Sequence, residues 1–162
     1  MAAVLLWLFS LGALLCSSGA QKNYDDLPET YRKGVDLALK MVNALPNIQH
    51  HILFFKSVEK TATKPIFGVS YILHHFFLRA TSCQKGTVEP AGCQFRDDRP
   101  LIDCTVCYKT YQEEIEPEPK PYLHCIQKPA LTVEMLNSRK MQCNAVGGSS
   151  GDVTLLSSIG LQ

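Results

Sequence analysis

The residues with the clearest chemical potential are seven cysteines, six of them between positions 83 and 143 and one, Cys16, near the N-terminus. Whether such thiols react, bind metal or pair depends on the compartment, since secreted chains oxidise them to disulfides. The apolar run from Val4 to Cys16 is too short to span a bilayer, and Ser18 and Ala20 suit a signal-peptidase site. We therefore expect residues 1–20 to be a cleaved signal peptide and the other six cysteines to form three disulfides in a secreted protein.

Strand register limits how these six cysteines can pair. The first two flank a nine-residue polar connection and can close it locally. Cys104 and Cys125 are nearly equidistant from the centre of a Glu- and Pro-rich turn, so they face each other if its strands form a hairpin. Cys107 lies three residues after Cys104, on the opposite face of the strand, and needs the one partner that is left. The predicted bridges are Cys83–Cys93, Cys104–Cys125 and Cys107–Cys143.

The segment Cys104-Thr105-Val106-Cys107 also has the CxxC spacing of redox and zinc sites. A redox CxxC belongs at a helix N-terminus, where the thiolate is stabilised, but here the segment is β-branched and typical of a strand. A zinc site needs two further ligands, and the remaining His and Cys residues are scattered. The spacing therefore favours structural bridges.

Histidines and carboxylates are the other candidates for chemistry. The pairs His50-His51 and His74-His75 lie in predicted strands, where adjacent side chains point to opposite faces and cannot chelate one metal. The acidic residues of 113–118 lie in a turn broken by proline, which lacks the rigid support that paired catalytic carboxylates need. A nucleophile elbow and a phosphate-cradling loop are both missing from the sequence. We expect no enzyme, no metal and no cofactor, but a binding protein.

The elements that would position these residues follow from the apolar pattern. One apolar stripe predicts a helix over about Leu27 to Leu45, with Asp26 as its cap and Pro46 as its stop. This is an α+β arrangement, in which one N-terminal helix packs on a four- to five-stranded antiparallel sheet. The predicted strands are Ile52 to Val58, Ile66 to Thr81, Leu101 to Tyr111 and Tyr122 to Ile126. The predicted domain covers residues 21–143, and residues 144–162 form a flexible C-terminal tail.

Charge narrows the class of partner. The chain has 16 Lys and Arg against 15 Asp and Glu, a net charge of +1. Such a balance gives no strong attraction to nucleic acid. Because no stretch after the signal peptide is long and apolar enough to span a bilayer, no stable membrane insertion is expected either. We predict an extracellular monomer.

The six-cysteine arrangement, with its CxxC at the third and fourth positions, carries a family resemblance over about Leu27 to Cys143. The chain resembles the cystatin/cathelicidin superfamily, and within it the chemerin family more closely. The resemblance implies a cystatin-like fold and a secreted chemoattractant and adipokine of the inflammatory response. The strings that add to it are Tyr31-Arg32-Lys33-Gly34-Val35, Thr81-Ser82-Cys83 and His124-Cys125.

The same resemblance gives the C-terminal tail a role. Ligands of this family are made as precursors, processing proteases trim their C-terminus, and the new end binds a G-protein-coupled chemokine-like receptor. Residues 147–151 have the composition of a flexible linker, and a weakly apolar peptide follows them. The alternative is a terminus without a function, since chain termini are often disordered. The residues expected to contact the receptor are Val153, Leu155, Leu156, Ile159 and Leu161.

The superfamily also offers two other functions, a cystatin-like protease inhibitor and a cathelicidin-like host-defence protein. Inhibition would need a Gln-x-Val-x-Gly hairpin and a Pro-Trp hairpin, whereas the expected first hairpin, Lys56 to Thr61, has neither Gln nor Gly, and Trp7 lies in the signal peptide. Host defence by membrane binding would need a cationic amphipathic segment, and the tail has none. A third alternative, a carrier, predicts a hydrophobic cavity between helix and sheet.

Overall fold

The computed structural model describes residues 23–148, so the predicted signal peptide and the chain after Gly148 lie outside the described residues. Within this range no helix is long and apolar enough to cross a membrane. Two short 3₁₀ turns, Pro90–Gly92 and Lys128–Ala130, connect the main elements. In chain order these elements are helix α1 (Glu29–Ala44), strands β1 (His50–Ala62), β2 (Val69–Gln84), β3 (Ile102–Tyr111), β4 (Glu114–Ile115) and β5 (Tyr122–Gln127), and helix α2 (Val133–Gly148).

Helix α1 forms where the apolar stripe predicts it. Its buried positions Val35, Ala38 and Val42 recur at helical spacing and pack on the sheet. The predicted cap is wrong: Pro28 occupies the N-cap position and no side chain caps the helix. The Arg32 guanidinium instead donates hydrogen bonds to carbonyl oxygens of the preceding turn, at 2.9 and 3.1 Å.

The close approach of α1 to the sheet depends on Gly34. The ring of Tyr108, which is fully buried on β3, lies against this glycine, and a Cβ built there would be 2.7 Å from a ring carbon. The Tyr108 hydroxyl donates a hydrogen bond to the carbonyl oxygen of Thr30. A larger residue at position 34 would therefore push the helix away from the sheet.

The sheet confirms the predicted fold class. Strands β1, β2 and β3 are consecutive antiparallel neighbours, and β4 and β5 both pair along the remaining edge of β3. Strand β4 pairs with the end of β3, whereas β5 pairs with Ile102 to Cys107, so the two short strands act as one interrupted edge strand. The result is an α+β domain with α1 packed on a curled antiparallel sheet of five strands.

Strand β1 is longer than the sequence predicts, and the predicted first hairpin at Lys56–Thr61 is therefore wrong. Strand pairing continues to Ala62, and the chain turns only at residues 63–68. The second half of β1 is polar and exposed, which an edge strand tolerates because only one of its sides is paired. The error places a different set of residues at the hairpin tip.

The second helix, α2, is absent from the sequence prediction. It covers the face of the sheet opposite α1 and continues through Gly148, so residues 144–148, which the sequence assigns to the flexible tail, are helical. Its buried residues are Arg139, Cys143 and Val146, at a helical spacing of four and three. Thr132 receives a hydrogen bond on its hydroxyl from the N–H of Met135 and so caps the N-terminus.

Candidate functional site

The three predicted disulfides are the pairs found in the structure: Cys83–Cys93, Cys104–Cys125 and Cys107–Cys143. The first closes the connection after β2, and the second joins β3 to β5. The third crosses from β3 to α2, with 5.4 Å between the two Cα atoms. This last bridge fixes the helix from which the C-terminal segment departs.

A buried ion pair holds the same helix to the same strand. The Arg139 guanidinium of α2 bonds the Asp103 carboxylate of β3, and each side chain is only 3% exposed. A second guanidinium nitrogen donates to the Asp103 carbonyl oxygen at 3.0 Å. The attachment of α2 therefore combines a covalent bond with a buried, directional pair of charges.

Two histidines complete the surroundings of this pair. His75 on β2 contacts the Asp103 carboxylate at 3.0 Å, and His124 on β5 accepts a hydrogen bond on Nδ1 from Nε of Arg139 at 2.9 Å. Burial alone would raise the pKa of Asp103, but hydrogen bonds from His75 and Arg139 outweigh it and hold the pKa below its ordinary value. Burial, together with the Arg139 cation, lowers the pKa of His124, which favours its neutral form.

The adjacent histidines of β2 point to opposite faces, as strand geometry requires. His74 lies in the core, where its Nε2 is 2.9 Å from the Ser57 hydroxyl and its ring packs against Phe54 and Phe76. Burial lowers its pKa to about 4. A Ser–His contact resembles a nucleophile and its base, but the ring is 0% exposed and no substrate can reach it. Within residues 23–148, no three His, Cys, Asp or Glu side chains are grouped to hold a metal ion.

An exposed apolar tip lies at the end of the β1–β2 hairpin. Ile66 and Phe67 are 68% and 96% exposed, and Tyr111 of the neighbouring hairpin is 45% exposed. Phe67 and Gly68 form a two-residue turn in which both φ angles are positive, 52° and 79°. A left-handed backbone is uncommon at a bulky residue, and such positions concentrate at binding surfaces.

The two hairpins at this end are joined by backbone contacts. The N–H of Gln112 donates to the Gly68 carbonyl oxygen at 2.9 Å. Lys33 of α1 holds the second hairpin from the other side, with its ammonium 2.6 Å from the Glu114 carboxylate. We define Ile66, Phe67 and Tyr111 as the hairpin tip. The sequence signal for it was the dipeptide Phe67-Gly68, since Gly is typical of a two-residue turn.

The predicted receptor-binding residues Val153, Leu155, Leu156, Ile159 and Leu161 lie outside the described residues. What the structure places is the base from which they extend. The end of α2 borders a small cleft, about 130 Å³ in volume, whose lining includes Thr63, Tyr71 and Val146. The C-terminal segment therefore starts near the β1–β2 hairpin.

Comparison with known protein families and with curated proteins finds no match to this chain. The resemblance to the chemerin family therefore rests on the cysteine spacing and the short strings alone. The described residues offer three features on which a function can be proposed: the anchored helix α2, the hairpin tip and the cavities of the domain.

Proposed function

We propose that the chain is an extracellular signalling ligand, similar to the chemerin family, that activates a G-protein-coupled chemokine-like receptor. In this proposal residues 149–162 carry the receptor-binding peptide, proteolysis sets its active end, and the disulfide-bonded domain holds it. Three disulfides are typical of proteins outside the cell. The attachment of α2 is the observation that carries the proposal.

Helix α2 is attached to strand β3 at two points. Cys107 and Asp103 lie on one strand and bind Cys143 and Arg139 on α2, one turn apart. Two attachments at different points of a helix prevent it from rotating or sliding. The attachment therefore fixes the point on the domain from which the proposed peptide starts, and the linker composition of residues 147–151 sets its reach.

The residues after Cys143 limit which class of protease can process the chain, and where it can cut. No Lys or Arg follows Cys143, so a trypsin-like enzyme has no cleavage site there. An elastase-like enzyme could cut beside Val146, Val153 or Ser157. Val146 is 7% exposed within α2, which protects that position. The proposed cleavage sites are therefore beside Val153 and Ser157.

The test uses the full disulfide-bonded chain before and after elastase digestion, with the new C-termini identified by mass spectrometry. We expect calcium signalling and migration of receptor-bearing cells to rise at least about tenfold after trimming between residues 153 and 161, since trimming creates the new C-terminal end that is proposed to contact the receptor. A chain that ends at Gly148 is the matched control and should be inactive. The proposal fails if no form trimmed after residue 148 signals.

The hairpin tip favours a second candidate function, inhibition of a papain-like protease. Two adjacent hairpin ends present exposed apolar side chains, as the wedge of a cystatin-like inhibitor would, although the Gln-x-Val-x-Gly and Pro-Trp motifs of cystatins are missing. Titration of such a protease with the domain tests this directly. Sub-micromolar inhibition that Phe67→Ser abolishes would support it, and a titration without inhibition removes it.

A further inference from the structure

Within the described residues, the length difference between helix α1 and the sheet leaves one end of the core without a helix over it. Helix α1 and strand β2 each contain 16 residues. At their different rises per residue the helix is about 24 Å long and the strand about 53 Å. Because Pro46 follows the end of α1, the chain turns away through residues 47–49 instead of continuing over the sheet.

A cavity of about 310 Å³ lies at this uncovered end and opens to solvent. Its volume is at the lower limit of small-molecule sites. The floor comes from three strands, through Ile52 on β1, Ala80 on β2 and Ile102 on β3. The small side chain of Ala80 leaves the cavity open, since a larger side chain at this position would fill it.

The mouth of the cavity is polar and carries positive charge. Arg99 lines it with a side chain that is 56% exposed and whose nearest acidic partner, Asp98, is 3.9 Å away. Asp98 is already bound through both carboxylate oxygens by Arg96, at 2.8 and 2.5 Å. None of the residues that line the cavity, all within the described part of the chain, is acidic. The charge of Arg99 is therefore available to an anion.

His50 also lines the wall, where its ring is held by Arg96. Its Nε2 lies 2.7 Å from the Arg96 guanidinium, which can only donate, so Nε2 accepts and the ring proton lies on Nδ1. Nδ1 is buried and has no hydrogen-bond partner among the described residues, so it offers no exposed donor to the cavity. The apolar floor and the cationic mouth together fit one class of molecule.

We propose that this cavity binds a medium-chain aliphatic carboxylate, with its chain on Ile52, Ala80 and Ile102 and its carboxylate at Arg99. Fixed apolar walls with a few polar groups at the mouth are the usual composition of such sites. The charge-assisted hydrogen bond to Arg99 distinguishes an acid from an alcohol of the same length. The lining of this site includes no residue of helix α2, and the proposal does not depend on receptor signalling.

The test is an NMR titration of the full disulfide-bonded protein with octanoate, 1-octanol and acetate, followed at the Ala80 methyl and the His50 ring. Octanoate should give saturable shifts at both residues. Octanol should bind about tenfold more weakly, because it lacks the charged hydrogen bond to Arg99. Acetate, which lacks the chain, should give no saturable shift. The proposal is overturned if octanoate does not saturate these signals, or if octanol binds as tightly.

Single substitutions distinguish the contribution of the Arg99 charge to ligand binding from that of the space above Ala80. Arg99→Gln should weaken octanoate binding about tenfold and leave octanol unchanged. Asn47→Asp, an exposed change at the mouth that keeps the fold, should also weaken octanoate alone. Ala80→Phe should remove both ligands, with thermal unfolding as the check that it folds. Lys64→Gln, a cation remote from the cavity, is the matched control, and an equal loss there or none at Arg99 contradicts the assignment.

Discussion

Arg139 on the last helix and Asp103 on the central strand form an ion pair in which each side chain is 3% exposed. A buried pair adds little net stability compared with apolar residues, but removal of one partner leaves a buried charge without compensation. The pair therefore fixes the position of α2 on the sheet. The loss in free energy of unfolding when one partner is replaced measures how strongly it does so.

Arg139→Met should lower the free energy of unfolding by about 3–5 kcal/mol, because the Asp103 carboxylate then stays buried with His75 as its remaining partner. Urea unfolding followed by circular dichroism measures the change. Lys140→Met, at the exposed next position, is the control and should stay within about 0.5 kcal/mol of wild type. A loss below about 1 kcal/mol in Arg139→Met would contradict the role of the pair.

The pKa of His74 predicts a pH-dependent stability. Burial lowers this pKa from 6.5 to about 4, so between these values the unfolded chain binds a proton that the folded chain does not. The stabilisation is complete above pH 6.5 and is lost as the pH falls to about 4, by about 3 kcal/mol.

Urea unfolding from pH 4 to 7 should show this slope in wild type and a slope smaller by one proton in His74→Phe. Ser57→Ala is the matched control, because it removes the hydrogen bond to His74 but keeps the titrating ring. It should lower stability by about 1 kcal/mol and keep the slope. An unchanged slope in His74→Phe would show that other groups cause the acid sensitivity.

Loss of the Cys107–Cys143 bridge should lower the signalling potency more than loss of the Cys83–Cys93 bridge. Replacement of either pair by serine should cost about 2–4 kcal/mol, because each closes a loop in the unfolded chain. Only the Cys107→Ser/Cys143→Ser variant loosens α2, so limited proteolysis should open new sites within residues 133–148. Its potency on receptor-bearing cells should fall, while Cys83→Ser/Cys93→Ser keeps wild-type potency. Equal potencies would show that the domain does not position the peptide.

Gly34→Ala should destabilise the protein, against the usual benefit of alanine in a helix. The added Cβ would lie 2.7 Å from a carbon of the buried Tyr108 ring, and such overpacking costs about 1–3 kcal/mol. Gly92→Ala, where nothing lies within 4 Å, is the control and should be close to neutral. Thermal unfolding compares the two, and a stabilised Gly34→Ala would mean that α1 can move outward freely.

The Cys104–Cys125 pairing shows what the sequence could predict. The prediction placed the turn midway between the two cysteines, whereas the chain turns earlier, at Gln112 and Glu113. If the register of β4 continued, Cys104 would face Pro121; the excursion between β4 and β5 moves the pairing by four residues, to Cys125. The bridge was predictable because a hairpin was predictable, but the irregularity inside it was not.

Helix α2 escaped prediction for a physical reason. Its buried stripe begins with an arginine and continues with a cysteine, while the apolar Val133, Leu136 and Met141 are exposed. A search for apolar periodicity therefore finds no face. The helix can be predicted only if Asp103 is known to lie on the sheet as the partner of Arg139. That position is a property of the tertiary structure. The cavity and the hairpin tip likewise depend on where α1 and β1 end.

All three disulfides lie between residues 83 and 143, so no disulfide links α1, β1 or most of β2 to the rest of the described domain. In denaturant with the bridges intact, the second half of the chain stays confined to a few closed loops, while the first half can expand like an ordinary polymer. The two halves therefore contribute unequally to refolding. On refolding, the cross-linked half acts as a partly assembled template. The long strand β2 belongs to both halves, and the first half must pair with it in the correct register.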